Sequence, residues 1–345
     1  MKSLKSHFWI AQMLIVGIFL FSCKKQSTDP IPTQAEDPQV TINKVTFTES
    51  TPTLPVLPFT SAPNSTAVLM AKANAKIYIF LKTPEGGEFL VSGFTYDVNE
   101  NKFTSLKKLS TGSFIQASGL NSPLMAIDNN EQLWNANPTI MSRYATLTDS
   151  WTSYTASTNS GTNNGACYLL NKMYYAGNSA NATASFKYLD FGAGSVWNNA
   201  ADLPYLAESP ALQAYNSRYI YAIGGEKTTG SAITKKFTIY DTQSDKWTAA
   251  TDLPFDYYSS INHHSTTILK NKYLMVYSKN NKIYLYDLEA KIWRTTPAVD
   301  LGTFSGINVN IFSNSSLGKD DGDTLYLTYM NNKGEFNTKK YVLNL

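Results

Sequence analysis

Cysteine is nearly absent from this 345-residue chain: Cys23 and Cys167 are the only two. A cross-linked scaffold is therefore excluded, and the fold must rest on an apolar core. Histidine is almost as scarce. Two of the three, His263 and His264, are neighbours, and neighbours on a strand project to opposite faces, so they do not form a shared metal site. Charged residues make up 16% of the chain and nearly balance, leaving a formal net charge of +3. A nucleic-acid footprint needs clustered Lys and Arg, and these are scattered. The chain has no Gly-rich phosphate loop, Gly-x-Ser-x-Gly elbow, His-Glu-x-x-His pair or dinucleotide fingerprint. The acidic run Lys319–Asp323 lacks the spaced ligands and terminal Glu of an EF-hand loop and reads as a turn. The expectation is no metal, no cofactor, no nucleic-acid partner and no assigned catalytic residue.

Long apolar runs are also missing, with one exception. Lys2 and Lys5 precede an apolar stretch from Phe8 to Phe21 that ends at Ser22-Cys23, the layout of an export signal. A spanning helix needs about 20 apolar residues, more than this run supplies. The tetrapeptide Leu20-Phe21-Ser22-Cys23 resembles the bacterial lipobox. That resemblance implies removal of residues 1–22 and lipidation of Cys23; an ordinary signal peptide cut elsewhere is the alternative. Residues 23–39, rich in Pro, Gln and acidic side chains, read as a flexible tether. Processing leaves 323 residues, removes Lys2 and Lys5 so that the formal charge falls to +1, and makes Cys167 the only free thiol. Lys24 stands where, in enterobacterial lipoproteins, an Asp favours inner-membrane retention. The expected location is the cell envelope, at the outer membrane, on its periplasmic face or the cell surface, with membrane contact through the N-terminal lipid only.

What is abundant is aromatic and turn chemistry. The chain has 22 Tyr, 17 Phe and 6 Trp, alongside many Asn, Ser and Thr, a mixture that favours strands and turns. It also repeats. Phe237-Thr238-Ile239-Tyr240-Asp241 leads through a short turn to Trp247 and on to Asp252-Leu253-Pro254. Related segments are Tyr284–Asp287 before Trp293, Lys187–Asp190 before Trp197 and Asp202-Leu203-Pro204, Ser142–Tyr144 before Trp151, and Phe94–Asp97 before Phe103. The landmarks Phe103, Trp151, Trp197, Trp247 and Trp293 are 48, 46, 50 and 46 positions apart, a propeller-like period. A lone four-stranded unit cannot bury both faces, so one large aromatic per unit is expected in the wedge between neighbours.

Tyr219–Ile223 runs into Gly224-Gly225, and with Tyr240-Asp241 and Trp247 this set resembles one kelch repeat. The resemblance extends from about Val40 to the end and weakens away from this unit. The third keeps only Gly177 of the glycine pair, and the second has Ala145 in place of Asp. It implies an all-β, kelch-type β-propeller over residues 40–345. The final unit has strands near Val309–Phe312, Thr324–Thr328 and Lys339–Leu343 and then stops, so Asn43–Thr48 is expected to supply its fourth strand. That arrangement makes six four-stranded blades and hides the sheet edges; five or seven also fit the count.

Each linker into a first strand carries a polar residue: Asn64, Asn121, Asn164, Glu208, Asn262 and Asn308. Converging on the channel mouth, these and His264 would form a polar ring, with Tyr205, Phe255, Tyr257 and Tyr258 available to stack on a ligand; Asn is also an ordinary turn residue. The expected function is a non-catalytic, lipid-anchored binding or scaffold module presenting a propeller face to a glycan or protein partner. The alternative is a kelch-type sugar-active enzyme similar to the sialic-acid mutarotases, in which Glu208 with Arg218 or His264 would serve as acid and base.

Overall fold

A computed structural model describes residues 43–50, 67–73, 76–85, 88–97, 99–106, 109–110, 125–128, 130, 132–136, 140–155, 165–177, 183–193, 197–208, 210–225, 233–258, 266–278, 281–299, 309–313, 324–330 and 336–345. The lipobox, the tether and the Lys319–Asp323 run lie outside them. Val40–Leu345 forms one compact unit.

All described regular structure is β. The unit opens with β1 (Asn43–Lys44) and β2 (Thr46–Ser50). The first sheet follows as β3 (Ala67–Ala73), β4 (Lys76–Glu85), β5 (Glu88–Asp97) and β6 (Lys102–Ser105), with β7 (Leu109–Ser110) also on β5. The second is β8 (Met125–Ile127), β9 (Leu133–Ala136), β10 (Ile140–Ala145) and β11 (Ser150–Thr155). The third is β12 (Gly165–Leu169), β13 (Lys172–Ala176), β14 (Phe186–Asp190) and β15 (Trp197–Asn199). The fourth is β16 (Ala211–Tyr215), β17 (Tyr219–Ile223), β19 (Phe237–Asp241) and β20 (Lys246–Ala249), with β18 (Ile233–Thr234) inserted before β19. After β21 (Tyr257–Tyr258), the fifth is β22 (Thr266–Leu269), β23 (Tyr273–Ser278), β24 (Lys282–Asp287) and β25 (Trp293–Thr295). The last is β26 (Val309–Ser313), β27 (Thr324–Met330) and β28 (Phe336–Asn344).

Each sheet is an antiparallel meander, and its first strand lies beside the first strand of the next: β3 beside β8, β8 beside β12, β12 beside β16, β16 beside β22 and β22 beside β26. This is a β-propeller. The chain ends close it: β2 pairs antiparallel with β28, Thr46 opposite Asn344 and Ser50 opposite Lys340. Asn43 and Lys44, expected in that same strand, instead run parallel to β25 of the fifth sheet. The N-terminus thus covers two outer edges, removing unpaired backbone from both. Tyr96 of the first sheet lies within electrostatic reach of Tyr326 of the last; burial, then that neighbour and Asp97, push its hydroxyl up to about 12.

The spacing of Tyr and Trp has a packing cause. Tyr144, Tyr240 and Tyr286 sit directly across from Trp151, Trp247 and Trp293 on adjacent strands, and each pair clamps a Phe of the preceding sheet. Phe80 meets Tyr144 and Trp151 at 5.0 and 5.1 Å between ring centroids. Phe186 meets Tyr240 and Trp247 at 4.8 and 4.9 Å, and Phe237 meets Tyr286 and Trp293 at 4.9 and 5.3 Å. Most of these contacts are edge-on, the geometry ring quadrupoles favour. The aromatic wedge expected between units is therefore present.

Turn chemistry holds each clamp in register. Asn101, Asp149, Asp245 and Lys291 follow their Tyr by five positions and have left-handed φ of 52°, 48°, 52° and 57°. In three of these turns the Tyr hydroxyl donates back to that residue: Tyr96 to Asn101 and Tyr144 to Asp149 at 2.8 Å, Tyr240 to Asp245 at 2.7 Å. The Asp after the Tyr accepts amides of the same turn, as Asp241 does from Gln243 and Asp287 from Glu289 and Ala290.

Candidate functional site

The antiparallel meander sorts connections onto two faces. One, the turn face, carries the hairpins between first and second and between third and fourth strands. The other, the loop face, carries the connections between second and third strands and the linkers between sheets.

A set of ion pairs recurs on the turn face. A basic residue at the start of the second strand reaches the Asp ending the third: Lys76 to Asp97 and Lys172 to Asp190, each at 3.8 Å, and Arg218 to Asp241 at 2.7 Å. Asp287 is met by Arg294 at 3.9 Å, and Lys272 meets Glu289 at 3.7 Å. The Arg218 contact is a two-point fork, Nε to Oδ1 at 2.9 Å and Nη2 to Oδ2 at 2.7 Å. It is the first cause holding the Asp241 carboxyl well below its ordinary range, ahead of bonds from Gln243 and Ser244. The recurring basic residue escaped the sequence reading; its signal was a Lys or Arg at the start of the second strand in four of the sheets, Lys76, Lys172, Arg218 and Lys272.

The loop face is built differently. Between the third and fourth sheets the linker is tied to both. Thr183 and Ala207 exchange backbone bonds at 3.1 and 2.9 Å. The Tyr205 hydroxyl donates to the Gly224 carbonyl at 3.0 Å, and the Glu208 amide to the Gly225 carbonyl at 2.7 Å. Gly225, at φ +78°, lies so close to the linker that a Cβ there would stand 2.5 Å from Pro210 N. Gly177, at φ +76°, faces the same linker. The close backbone approach expected of the glycine pair is real, and Pro210 is what it approaches. In the fourth sheet the equivalent contact grows into a ribbon, Ile233 opposite Tyr258 and Thr234 opposite Tyr257.

Of the sequence-predicted site residues, Glu208 is half-buried on this face at the mouth of β16, and Tyr258 lies in the ribbon. Asn64, Asn121, Asn164, Asn262, His264 and Asn308 lie outside the described residues. Two proposed stacking residues serve the core instead. Tyr205 is buried and spends its hydroxyl on Gly224. Phe255 is buried and stacks on Tyr284 at 4.3 Å between centroids. Arg218 and Glu208 are not brought together: they flank opposite ends of β16, Arg218 on the turn face bound to Asp241. Leu206, 54% exposed two residues before Glu208, was missed. Among the described residues, no group of His, Cys, Asp and Glu could hold a metal ion, and no helix is long and apolar enough to cross a membrane. Cys167 is fully buried in β12, and burial pushes its thiol well above the ordinary range. No protein-family model and no curated protein matches the chain.

Proposed function

We propose that this protein is an exported, lipid-anchored, six-bladed kelch-type propeller that acts as a binding module, its loop face taking a glycan or protein partner. The observation that carries the reading is the bracing of the loop face between the third and fourth sheets. On the turn face an internal ion pair recurs in four sheets. The loop face at the third and fourth sheets is a backbone-braced platform that holds a partly exposed carboxylate, Glu208, beside an exposed apolar side chain, Leu206. Binding residues on loops are most effective when a rigid scaffold positions them. The unit of Gly224-Gly225, Tyr240-Asp241 and Trp247 supports the kelch assignment, since its members divide the work of a repeat among close approach, turn capping and clamping of the previous sheet. The lipobox-like Leu20–Cys23 supports export and anchoring.

The test is a glycan-array screen of the mature protein beside its Glu208→Gln and Leu206→Ala variants, with crosslinking on intact cells in parallel. Saturable binding, or a crosslinked partner, weakened at least fivefold by either substitution supports the loop-face site. Binding that both variants retain in full places the site elsewhere and overturns this reading.

A further inference from the structure

The seams between neighbouring sheets follow one plan, and the seam between the second and third sheets departs from it. In the second, fourth and fifth sheets a Tyr stands across from the Trp of the fourth strand, seven positions before it in the chain. In the third sheet the residue across from Trp197 is Leu189, eight positions before it. The hairpin is one residue longer, and the hydroxyl-bearing half of the clamp is gone. At this seam Trp134 of the second sheet packs against Ala166, Tyr175 and Leu189 of the third, with Trp197 against them.

Polar groups at the other seams are satisfied. The Trp247 and Trp293 indoles donate across their seams, to the Ala201 carbonyl at 2.8 Å and the Thr251 carbonyl at 3.4 Å. The Tyr144 and Tyr240 hydroxyls are taken up by Asp149 and Asp245. At the seam between the second and third sheets the corresponding groups are orphaned. The Trp197 indole nitrogen and the Tyr175 hydroxyl are buried with no hydrogen-bond partner among the described residues, and the two rings meet edge-on at 5.2 Å between centroids. Tyr175 is 2% exposed, and burial alone raises its pKa. The Trp134 indole turns back to Asp128 of its own sheet, at 2.9 Å.

A buried donor without a partner loses its water when a seam closes and gains no bond in return. Parting the two sheets restores that water while the ladders inside each sheet stay paired, so opening is easiest where such donors collect. We propose that the propeller opens at the seam between its second and third sheets, ahead of the seams on either side of the fourth, in a reversible local motion that keeps each sheet folded. The motion uncovers the Tyr175 hydroxyl and the aromatic faces around it, a surface that the closed ring conceals. It is independent of what the loop face binds and of how the chain is anchored.

Ala166 and Cys167 supply matched positions for the test. They are neighbours on β12 with nearly equal exposure, 7% and 6%, yet Ala166 packs into the seam between the second and third sheets and Cys167 into the core between the third and fourth. The full-length protein and its Ala166→Cys, Cys167→Ala double variant are treated with iodoacetamide under native conditions, and alkylation of the peptide carrying these positions is followed by mass spectrometry. Alkylation at position 166 at least tenfold faster than at position 167 supports the opening seam; an equal or slower rate overturns it. Adding Tyr175→Phe to the double variant removes the orphaned hydroxyl and should slow alkylation at position 166 at least fivefold, whereas an unchanged or faster rate overturns the inference. Tyr175→Phe in the otherwise natural protein guards against a packing effect of the introduced thiol. A raised midpoint of urea unfolding supports the orphaned hydroxyl; an unchanged or lowered one means the hydroxyl is satisfied and overturns the inference.

Discussion

Asp245 is where one side chain joins turn, clamp and neighbouring sheet, and replacing it in three ways separates those roles. Its Oδ1 accepts the Tyr240 hydroxyl at 2.7 Å and, from the preceding sheet, the Ala201 amide at 2.8 Å. The Trp247 indole holds the same residue, donating to the Ala201 carbonyl at 2.8 Å. Asp245 also has φ 52°, where Asn and Gly are tolerated and Ala is not. Asn retains one acceptor and the backbone preference, so Asp245→Asn should cost about 0.5 kcal/mol. Gly keeps the backbone and loses both bonds; because the carboxylate is exposed and water competes for it, about 1.5 kcal/mol is expected. Ala loses the bonds and strains the turn, so about 2.5 kcal/mol is expected. Equilibrium urea unfolding followed by tryptophan fluorescence reads these as midpoint shifts in the order Asn, Gly, Ala. The bond from Ala201, then that from Tyr240, lowers the Asp245 pKa. That contribution is full above the unfolded carboxylate value of about 3.9 and is lost as pH falls through the lower folded value. The difference between wild type and Asp245→Asn should therefore shrink below about pH 4. Equal midpoints for Ala and Gly, or a wild-type advantage unchanged to about pH 2, would refute the reasoning.

Three further outcomes follow from the same geometry. Gly225→Ala meets both a left-handed φ and the Pro210 backbone, so it should lose at least about 2 kcal/mol in the same unfolding assay; a neutral result would mean the linker moves freely. Leu170→Asn relieves a left-handed leucine in a two-residue turn between β12 and β13 and should raise stability by about 1 kcal/mol. A destabilised variant would show that Leu170 packs more tightly than its exposure implies. Cys167 should resist iodoacetamide in the native protein and react on unfolding in urea; rapid native alkylation would contradict its burial in β12.

The propeller was legible because its signals are local and periodic. Tyr240 and Trp247 are seven positions apart and land opposite each other across one hairpin, so the repeat in sequence is the repeat in packing. The closing strand was also expected: β2 stands as the fourth strand of the last sheet, beside β28. Other features depended on residues remote in sequence. Ala201 lies 44 positions before Asp245, and nothing in either neighbourhood marks the bond. Pro210 meets Gly225 only once two sheets stand side by side. The shift of Asn43 and Lys44 onto β25 depends on an edge created by another sheet. Arg218 and Glu208 are ten positions apart, close enough to pair on paper, yet a full strand crosses the sheet between them and sends them to opposite faces. Hydrophobic period and turn residues specify each sheet from within; which loops share a face, and which side chains they offer a partner, is decided only when the sheets close into a ring.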